Sequence, residues 1–146
     1  MTAATRATTN AELASLLRPA LLRLTRLVRN QRVDMSVTLT QLSAMATLSK
    51  RGAMSAGELA TCERVQPPSM TKVLANLEEK GLVRRDPHPT DRRQAIIAIT
   101  EAGLALLESE RRSRDAWLSR QLAVLSAEER ALLQRVVPVL DKLAEQ

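Results

Sequence analysis

The apolar spacing of this chain breaks once, and that break constrains its fold more than any other feature. On either side of residues 82–99, aliphatic side chains recur every three or four positions, the period of a helix with one buried face. Inside the interval, β-branched Val83, Ile96, Ile97 and Ile99 form two short runs. Between them lies Pro87-His88-Pro89-Thr90-Asp91-Arg92-Arg93, polar and marked by proline. Two strands, at residues 82–86 and 94–99, joined by a protruding basic tip, are therefore expected within an otherwise helical chain.

The helices declare their own starts. Thr38 precedes Gln41, Ser55 precedes Glu58, and Ser126 precedes Glu129, each a box in which the hydroxyl and the acid or amide exchange bonds with first-turn amides. Thr100 before Glu101 is a simpler cap with an acid in the first turn. These starts predict helices near 39–51, 56–63, 101–124 and 127–145. Pro67 and Pro68 suit the first turn of a further helix. Met70, Val73, Leu74 and Leu77 give that helix a buried face, and Gly81 after Lys80 stops it. Ahead of all these, Leu13, Leu16, Leu17, Leu21, Leu24, Leu27 and Val28 predict a long helix over about residues 11–32, with a bend or a later start at Pro19. Arg18, Arg23, Arg26, Arg29 and Arg32 occupy much of its other side. They suit an acidic ligand, and suit a solvated face or intersubunit salt bridges equally well. Residues 1–9, rich in Thr and Ala, read as a frayed end.

With one Trp and no Phe or Tyr, the core has to be aliphatic. The 146 residues are the length of one ordinary domain. The net charge of +6 is unevenly placed: residues 1–100 carry 15 Lys/Arg against 8 Asp/Glu, and residues 101–146 carry 7 against 8. A basic first two-thirds fits a polyanion partner, since each neutralised phosphate releases counterions, and it fits a well-solvated surface equally well. One cysteine allows no intrachain disulfide. No leader-like segment and no run of 18 apolar residues is present, so no membrane partner and a cytoplasmic location are expected.

The helices at 56–63 and 67–80, linked by Arg64-Val65-Gln66 and followed by the hairpin, compose a winged helix-turn-helix. A helix is narrow enough to enter the major groove of duplex DNA while its partner sets its angle. On the second helix Pro68, Lys72, Ala75 and Glu79 lie opposite the core face, with Ser69, Thr71 and Asn76 on the flanks. Ser69, Thr71 and Lys72 can donate to phosphates or base edges, Ala75 permits close approach, and Asn76 has the groups to read an adenine edge. With Gln66 from the link, the candidate major-groove set is Gln66, Pro68, Ser69, Thr71, Lys72 and Asn76. At the hairpin tip, Arg92 and Arg93 suit the narrow minor groove, and Asp91 is expected to pair with a neighbouring arginine and fix its aim. A solvated helix face and an exposed ion pair are the plainer readings of the same residues.

Together, Ser69-Met-Thr-Lys-Val, Leu77-Glu-Glu-Lys-Gly-Leu-Val-Arg-Arg, Asp91-Arg-Arg and Ile99-Thr resemble the MarR family pattern, as does Leu39-Thr-Gln-Leu. The resemblance runs over residues 11–145 in helix order and 39–103 in motif. It implies a mainly α fold, a winged helix-turn-helix with a small β-hairpin wing on a helical dimerisation base. The parts would be residues 1–37 and 101–146 for dimerisation and 38–100 for DNA. It further implies Ser69, Thr71 and Lys72 at the major groove, Arg93 with Arg92 as alternate in the minor groove, and Asp91 bracing the wing. Lys72 stands where the family often has Arg, and lysine lacks the bidentate fork for guanine. The resemblance also implies a homodimer and a repressor released by a small aromatic or anionic effector.

Independently, Leu104, Leu107, Leu118, Leu122 and Leu125 line one side of the fifth expected helix. Leu132, Leu133, Val136, Val137, Leu140 and Leu143 line the sixth, with Pro138 as a kink. Neither has an obvious partner within a small winged-helix core, so both are expected to pack between subunits. Trp117 reads as a packing residue on the linker helix, near where the family binds small aromatic anions. His88, the only histidine, reads as a phosphate contact or as idle rather than as a base. No nucleophile has a visible base partner and no Cys/His cluster points to a metal or cofactor, so no enzyme is expected. Cys62 reads as a small buried hydrophobe. Two rivals to the regulator remain, a thiol-based redox switch through Cys62 and a winged-helix module that binds protein.

Overall fold

The structure, a computed structural model, describes residues 8–145. Residues 1–7 of the expected frayed end lie outside that range, whereas Thr9 is ordered as a helix cap. The described residues form two compact units, one of residues 32–113 and one of residues 8–31 with 114–145.

In the first of these, α2 (Leu39–Arg51), β1 (Met54–Ser55), α3 (Ala56–Glu63), α4 (Pro67–Glu79), β2 (Val83–Pro87), β3 (Ala95–Ile99) and the front of α5 (Glu101–Leu122) surround one aliphatic core. Met45, Leu48, Leu59, Met70, Leu74, Leu77 and Ile97 are fully buried in it. Each fully buried side chain of this size contributes about 1.5–3 kcal/mol over exposure, so three short helices and a small sheet suffice. The capping boxes at Thr38/Gln41 and Ser55/Glu58 form as expected. At the end of α4, the Leu82 amide reaches the Leu77 carbonyl (2.9 Å) and the Gly81 amide that of Glu78 (2.9 Å), with Gly81 at φ 70°. This is a Schellman close, which needs a left-handed residue after the helix and so favours glycine. It turns the chain straight into β2.

The hairpin pairs Val83 with Ile99, Arg85 with Ile97 and Pro87 with Ala95. Both strands sit close to the expected positions, but the sheet has a third member. Met54 and Ser55 pair antiparallel with Ile97 and Ile96, giving the order β1-β3-β2. Two residues are too few to show a period, so nothing in the spacing announced β1.

The front of α5 also departs from expectation. Leu106 and Leu107 pack half-buried against the winged-helix core, so Leu107 has a partner within its own unit and is not left for a second subunit. Thr100 anchors this start: its hydroxyl donates to the Gly81 carbonyl (2.7 Å) and accepts from the Gly103 amide (3.2 Å). Farther along, Glu110 is a buried carboxylate. It accepts from the amides of Val33 (3.2 Å) and Asp34 (3.1 Å) and stands 3.7 Å from Arg32 Nε, an ion pair too long to be a hydrogen bond. Arg32 in turn donates to the carbonyls of Asp34 and Val37. One carboxylate thus holds the segment leading into α2 against α5.

The other unit contains α1 (Asn10–Arg29), the end of α5 and α6 (Ala127–Ala144). The helix α1 begins before the expected point, at a fourth capping box of Thr9 and Glu12, and runs on through Pro19 without a later start. It ends at Arg29, so Arg32 lies beyond it, engaged as described. Ser126 and Glu129 cap α6, which contains Pro138. No residue of α1 or α6 is buried, and Leu16, Leu22, Leu132, Val137 and Leu143 are each more than half exposed. Trp117 is half-buried.

Candidate nucleic-acid interface

The helix α4 presents its polar side outward. Ser69, Thr71, Lys72 and Ala75 are exposed, whereas Met70, Leu74 and Leu77 are buried. The two prolines at the helix start remove two of the four amide donors that a helix end leaves free, so this end offers little backbone N–H to a phosphate. Side chains have to supply the donors. Gln66, the N-cap residue, makes no capping bond with its side chain, which leaves its carboxamide available. Pro68 is exposed as a flat apolar contact. Thr71 behaves differently from the expectation that it donates outward. Its hydroxyl donates to the Pro67 carbonyl (3.0 Å), so it turns a methyl group and acceptor lone pairs to the outside.

Asn76 also has a prior engagement. It is half-buried, and its Oδ1 accepts from Gln41 Nε2 (2.8 Å). Gln41 is itself buried, and its own Oε1 accepts from the Thr38 amide (2.8 Å). The pair pins the start of α2 to the middle of α4 and commits the Asn76 oxygen inward, so its amide nitrogen is the group left uncommitted for a base. Spacing along the chain cannot reveal such a bond between residues 35 apart.

The tight link between α3 and α4 depends on Arg64, a non-glycine residue in the left-handed region (φ 53°, ψ 40°). That conformation costs roughly 1–2 kcal/mol in an L-residue. The Val65 amide closes the turn on the Ala60 carbonyl (3.0 Å). Arg64, the residue that closes α3, is exposed in the turn before α4, a cation that its place in the link did not single out. The signal was there, a basic residue in the turn itself.

At the wing, Arg92 and Arg93 are exposed and Asp91 is half-buried. Asp91 does not brace an arginine by an ion pair, as the sequence led us to expect. Its Oδ1 accepts from the Arg93 backbone amide (3.0 Å) and its Oδ2 from Gln94 Nε2 (3.3 Å). It shapes the backbone from which Arg93 projects and leaves the guanidinium uncommitted. His88 is not idle either: Nδ1 accepts from the amides of Thr90 (3.2 Å) and Asp91 (3.0 Å). On β2, Arg84 pairs with Asp86 (3.1 Å) and Arg85 with Glu78 of α4 (2.7 Å), tying the wing to the helix beside it. An open cleft of about 680 Å³ lies between the start of α3 and the hairpin, lined in part by Ser55, Glu58, Arg85 and Arg93.

Cys62 is exposed on α3, not buried. Leu59 and Ala60 fill the core-facing positions of that short helix, which turns Cys62 outward. Its sulfur lies 3.3 Å from Arg51 Nη1. Among the described residues no group of three His, Cys, Asp or Glu side chains is placed to hold a metal, and no helix is long and apolar enough to cross a membrane.

The MarR family model matches residues 37–95, the stretch that holds α2, α3, α4, β2 and the wing. An HTH-type transcriptional regulator of Mycobacterium bovis, Mb0904, is 43% identical over 137 residues, covering 94% of this chain and 96% of its own. The chain belongs to the MarR family. A second relative, the HTH-type transcriptional repressor MdtR of Bacillus subtilis, is 31% identical, covering 75% of this chain and 70% of its own. Among solved structures, a transcriptional regulator from Pseudomonas aeruginosa superposes with a TM-score of 0.83 at 32% identity, covering 94% of this chain and 99% of that one. The MarR-family assignment makes this chain a DNA-binding, winged helix-turn-helix transcriptional regulator, mainly helical with a small antiparallel sheet.

Proposed function

We propose that the protein is a homodimeric repressor that binds pseudo-palindromic duplex DNA and is released from it by a small aromatic or anionic effector. The observation that carries the DNA side of this reading is the pairing, in one unit, of an exposed polar face on α4 with two uncommitted arginines on a braced hairpin tip. Gln66, Pro68, Ser69, Thr71 and Lys72 face the major groove, with Asn76 contributing its amide nitrogen at the flank. Arg93, or Arg92 beside it, enters the minor groove, where the narrow walls strengthen the negative potential. Asp91 acts through the wing backbone. Arg64 adds a phosphate contact at the turn.

The dimer reading is supported by the apolar side chains that α1 and α6 leave exposed, more than a stable monomer would be expected to leave in water. Two winged helices related by a twofold axis would meet half-sites one helical turn apart, roughly 34–36 Å. An effector acts by favouring a dimer geometry that no longer matches this spacing. The repressor assignment is supported by MdtR, which carries that description.

Selection from random duplexes at two salt concentrations, with wild type and Arg93→Ala in parallel, tests the reading. Recovery of a pseudo-palindrome by wild type, with much weaker binding by the variant, is the expected result. Weak, unselective binding by both proteins would overturn it. The exposure of Cys62 beside Arg51 favours one second reading, a thiol switch on α3. Loss of DNA binding on oxidation, absent in Cys62→Ser, would establish it, and insensitivity of wild type to oxidant would remove it.

A further inference from the structure

We propose that His88 is a positioning residue of the wing: its neutral imidazole holds the turn that presents Arg92 and Arg93, and protonation at Nδ1 releases the turn and weakens DNA binding in acid. This rests on the reading of the wing as a DNA contact. Two backbone amides, those of Thr90 and Asp91, point at the one ring nitrogen from 3.2 and 3.0 Å, with the Thr90 hydroxyl at 3.4 Å. Amides only donate, so Nδ1 must present its lone pair, and the proton of the neutral ring sits on Nε2. The arrangement copies the turn that Asp or Asn makes with its side-chain oxygen two and three residues on. The imidazolium carries hydrogen on both nitrogens. In that form Nδ1 faces two donors with a third, and both amides lose their acceptor.

The consequence passes along the tip. The Asp91 amide is one of the two, and the Asp91 carboxylate in turn holds the Arg93 amide and the Gln94 side chain. Freeing the first bond loosens the backbone from which Arg93 projects. Near the ring along the hairpin the chain carries Asp86, Asp91, Arg92 and Arg93, and on α3 Glu58 is the carboxylate within electrostatic reach of the imidazole. Bonds from the Ser55 backbone and side chain hold the Glu58 carboxyl below the ordinary carboxylate value, with a smaller contribution in the same direction from the imidazole. Glu58 is therefore still an anion in the range where imidazoles ionise, between about pH 5 and 8.

The sign of the effect separates this from ordinary electrostatics. A histidine that gains charge beside DNA tightens binding in acid, because phosphates attract it. A histidine that must stay neutral to hold a turn loosens binding in acid. The test measures affinity of the intact protein for its selected duplex from about pH 8 to pH 5 at constant ionic strength. Wild-type affinity is expected to fall about five- to tenfold, the worth of roughly one hydrogen bond in the turn. His88→Asn places an oxygen where Nδ1 stood, accepts the same amides and does not titrate. It should bind like wild type at the alkaline end and show no such fall. Wild-type affinity that is flat or rises in acid, or a fall shared equally by His88→Asn, overturns the proposal. Arg93→Ala at pH 8 separates the failures. If it binds as well as wild type, the wing reading fails and the role of His88 with it. If it binds poorly while the wild-type pH profile is flat, the wing reading stands and only the role of His88 falls.

Discussion

Replacing Gly103 by alanine should destabilise the protein, although helix propensity alone predicts the opposite. Gly103 occupies the first turn of α5 and is buried. A Cβ there would lie 2.3 Å from the Leu82 carbonyl oxygen and 2.7 Å from Ile99 Cγ1. The Ile99 side chain can turn aside, but the carbonyl is backbone and accepts the Thr100 amide at 3.1 Å. The chain must shift to admit the methyl group. Overpacking of this kind costs about 1–3 kcal/mol, and contact with a pinned carbonyl places it toward the upper end. Weakening the Thr100 bond adds about 1 kcal/mol. Against these, Ala over Gly in a helix gains about 0.8–1.0 kcal/mol. The net expectation is a loss of about 2–3 kcal/mol. Gly57 is the control, since it also lies in a first turn, on α3, and a Cβ there meets nothing closer than Ser55 Oγ at 4.0 Å. Gly57→Ala should be neutral or gain up to about 1 kcal/mol. Urea unfolding followed by helical circular dichroism, at one protein concentration, reads both. A Gly103→Ala protein as stable as wild type, or more stable, would refute the claim that the Leu82 carbonyl is immovable.

Three further outcomes follow from the same geometry. Glu110→Ala should cost about 3–5 kcal/mol in thermal or urea unfolding, because it leaves the buried Arg32 charge without its counterion and the Val33 and Asp34 amides without their acceptor, and Glu110→Gln should cost less. Asp91→Ala should weaken DNA binding while leaving the salt dependence unchanged, whereas Arg93→Ala should lower the logarithmic salt slope by about one, as expected for one lost cation–phosphate contact. In acid, Glu12 and Glu58, each held below the ordinary value of 4.5 by cap bonds, and Glu108, held at about 2 by Arg111 and Arg112, all destabilise the fold on protonation. A lowered native pKa contributes stability that is present above the ordinary value and lost as pH falls through the native one. The melting temperature should therefore decline from about pH 4.5 downward, and a flat profile over that range would contradict the cap geometry.

Much of the fold was legible because its signals are local. A capping box spans four residues, a helical face repeats within eight, and the switch to β-branched runs marks the hairpin directly. Thr9 and Glu12 carry the same signature, and only the reading of the first residues as frayed hid it. The two-residue strand β1 had no period to detect. Cys62 was misplaced because a lone cysteine in a short helix has no pattern that distinguishes core from surface. The outward residues of α4 followed from its apolar face, but their chemistry did not. Whether Thr71 donates outward, and whether Asn76 is free, depend on bonds to Pro67 and Gln41.

By itself the sequence determined which segments are helix and strand, where α4 turns its polar side, and that the wing tip is basic, since each rests on neighbours within a turn or two. The tertiary structure alone decided that the Asp91 carboxylate and the His88 ring shape the wing backbone while Arg93 stays free. It alone decided that Glu110 is spent on the segment before α2, 76 and 77 residues away. It also made Gly103 indispensable where Gly57 is not. The physical reason is the same in each case: a polar atom or a missing methyl group acquires its energetic value from the group brought against it, and its own position in the chain does not say which group that will be.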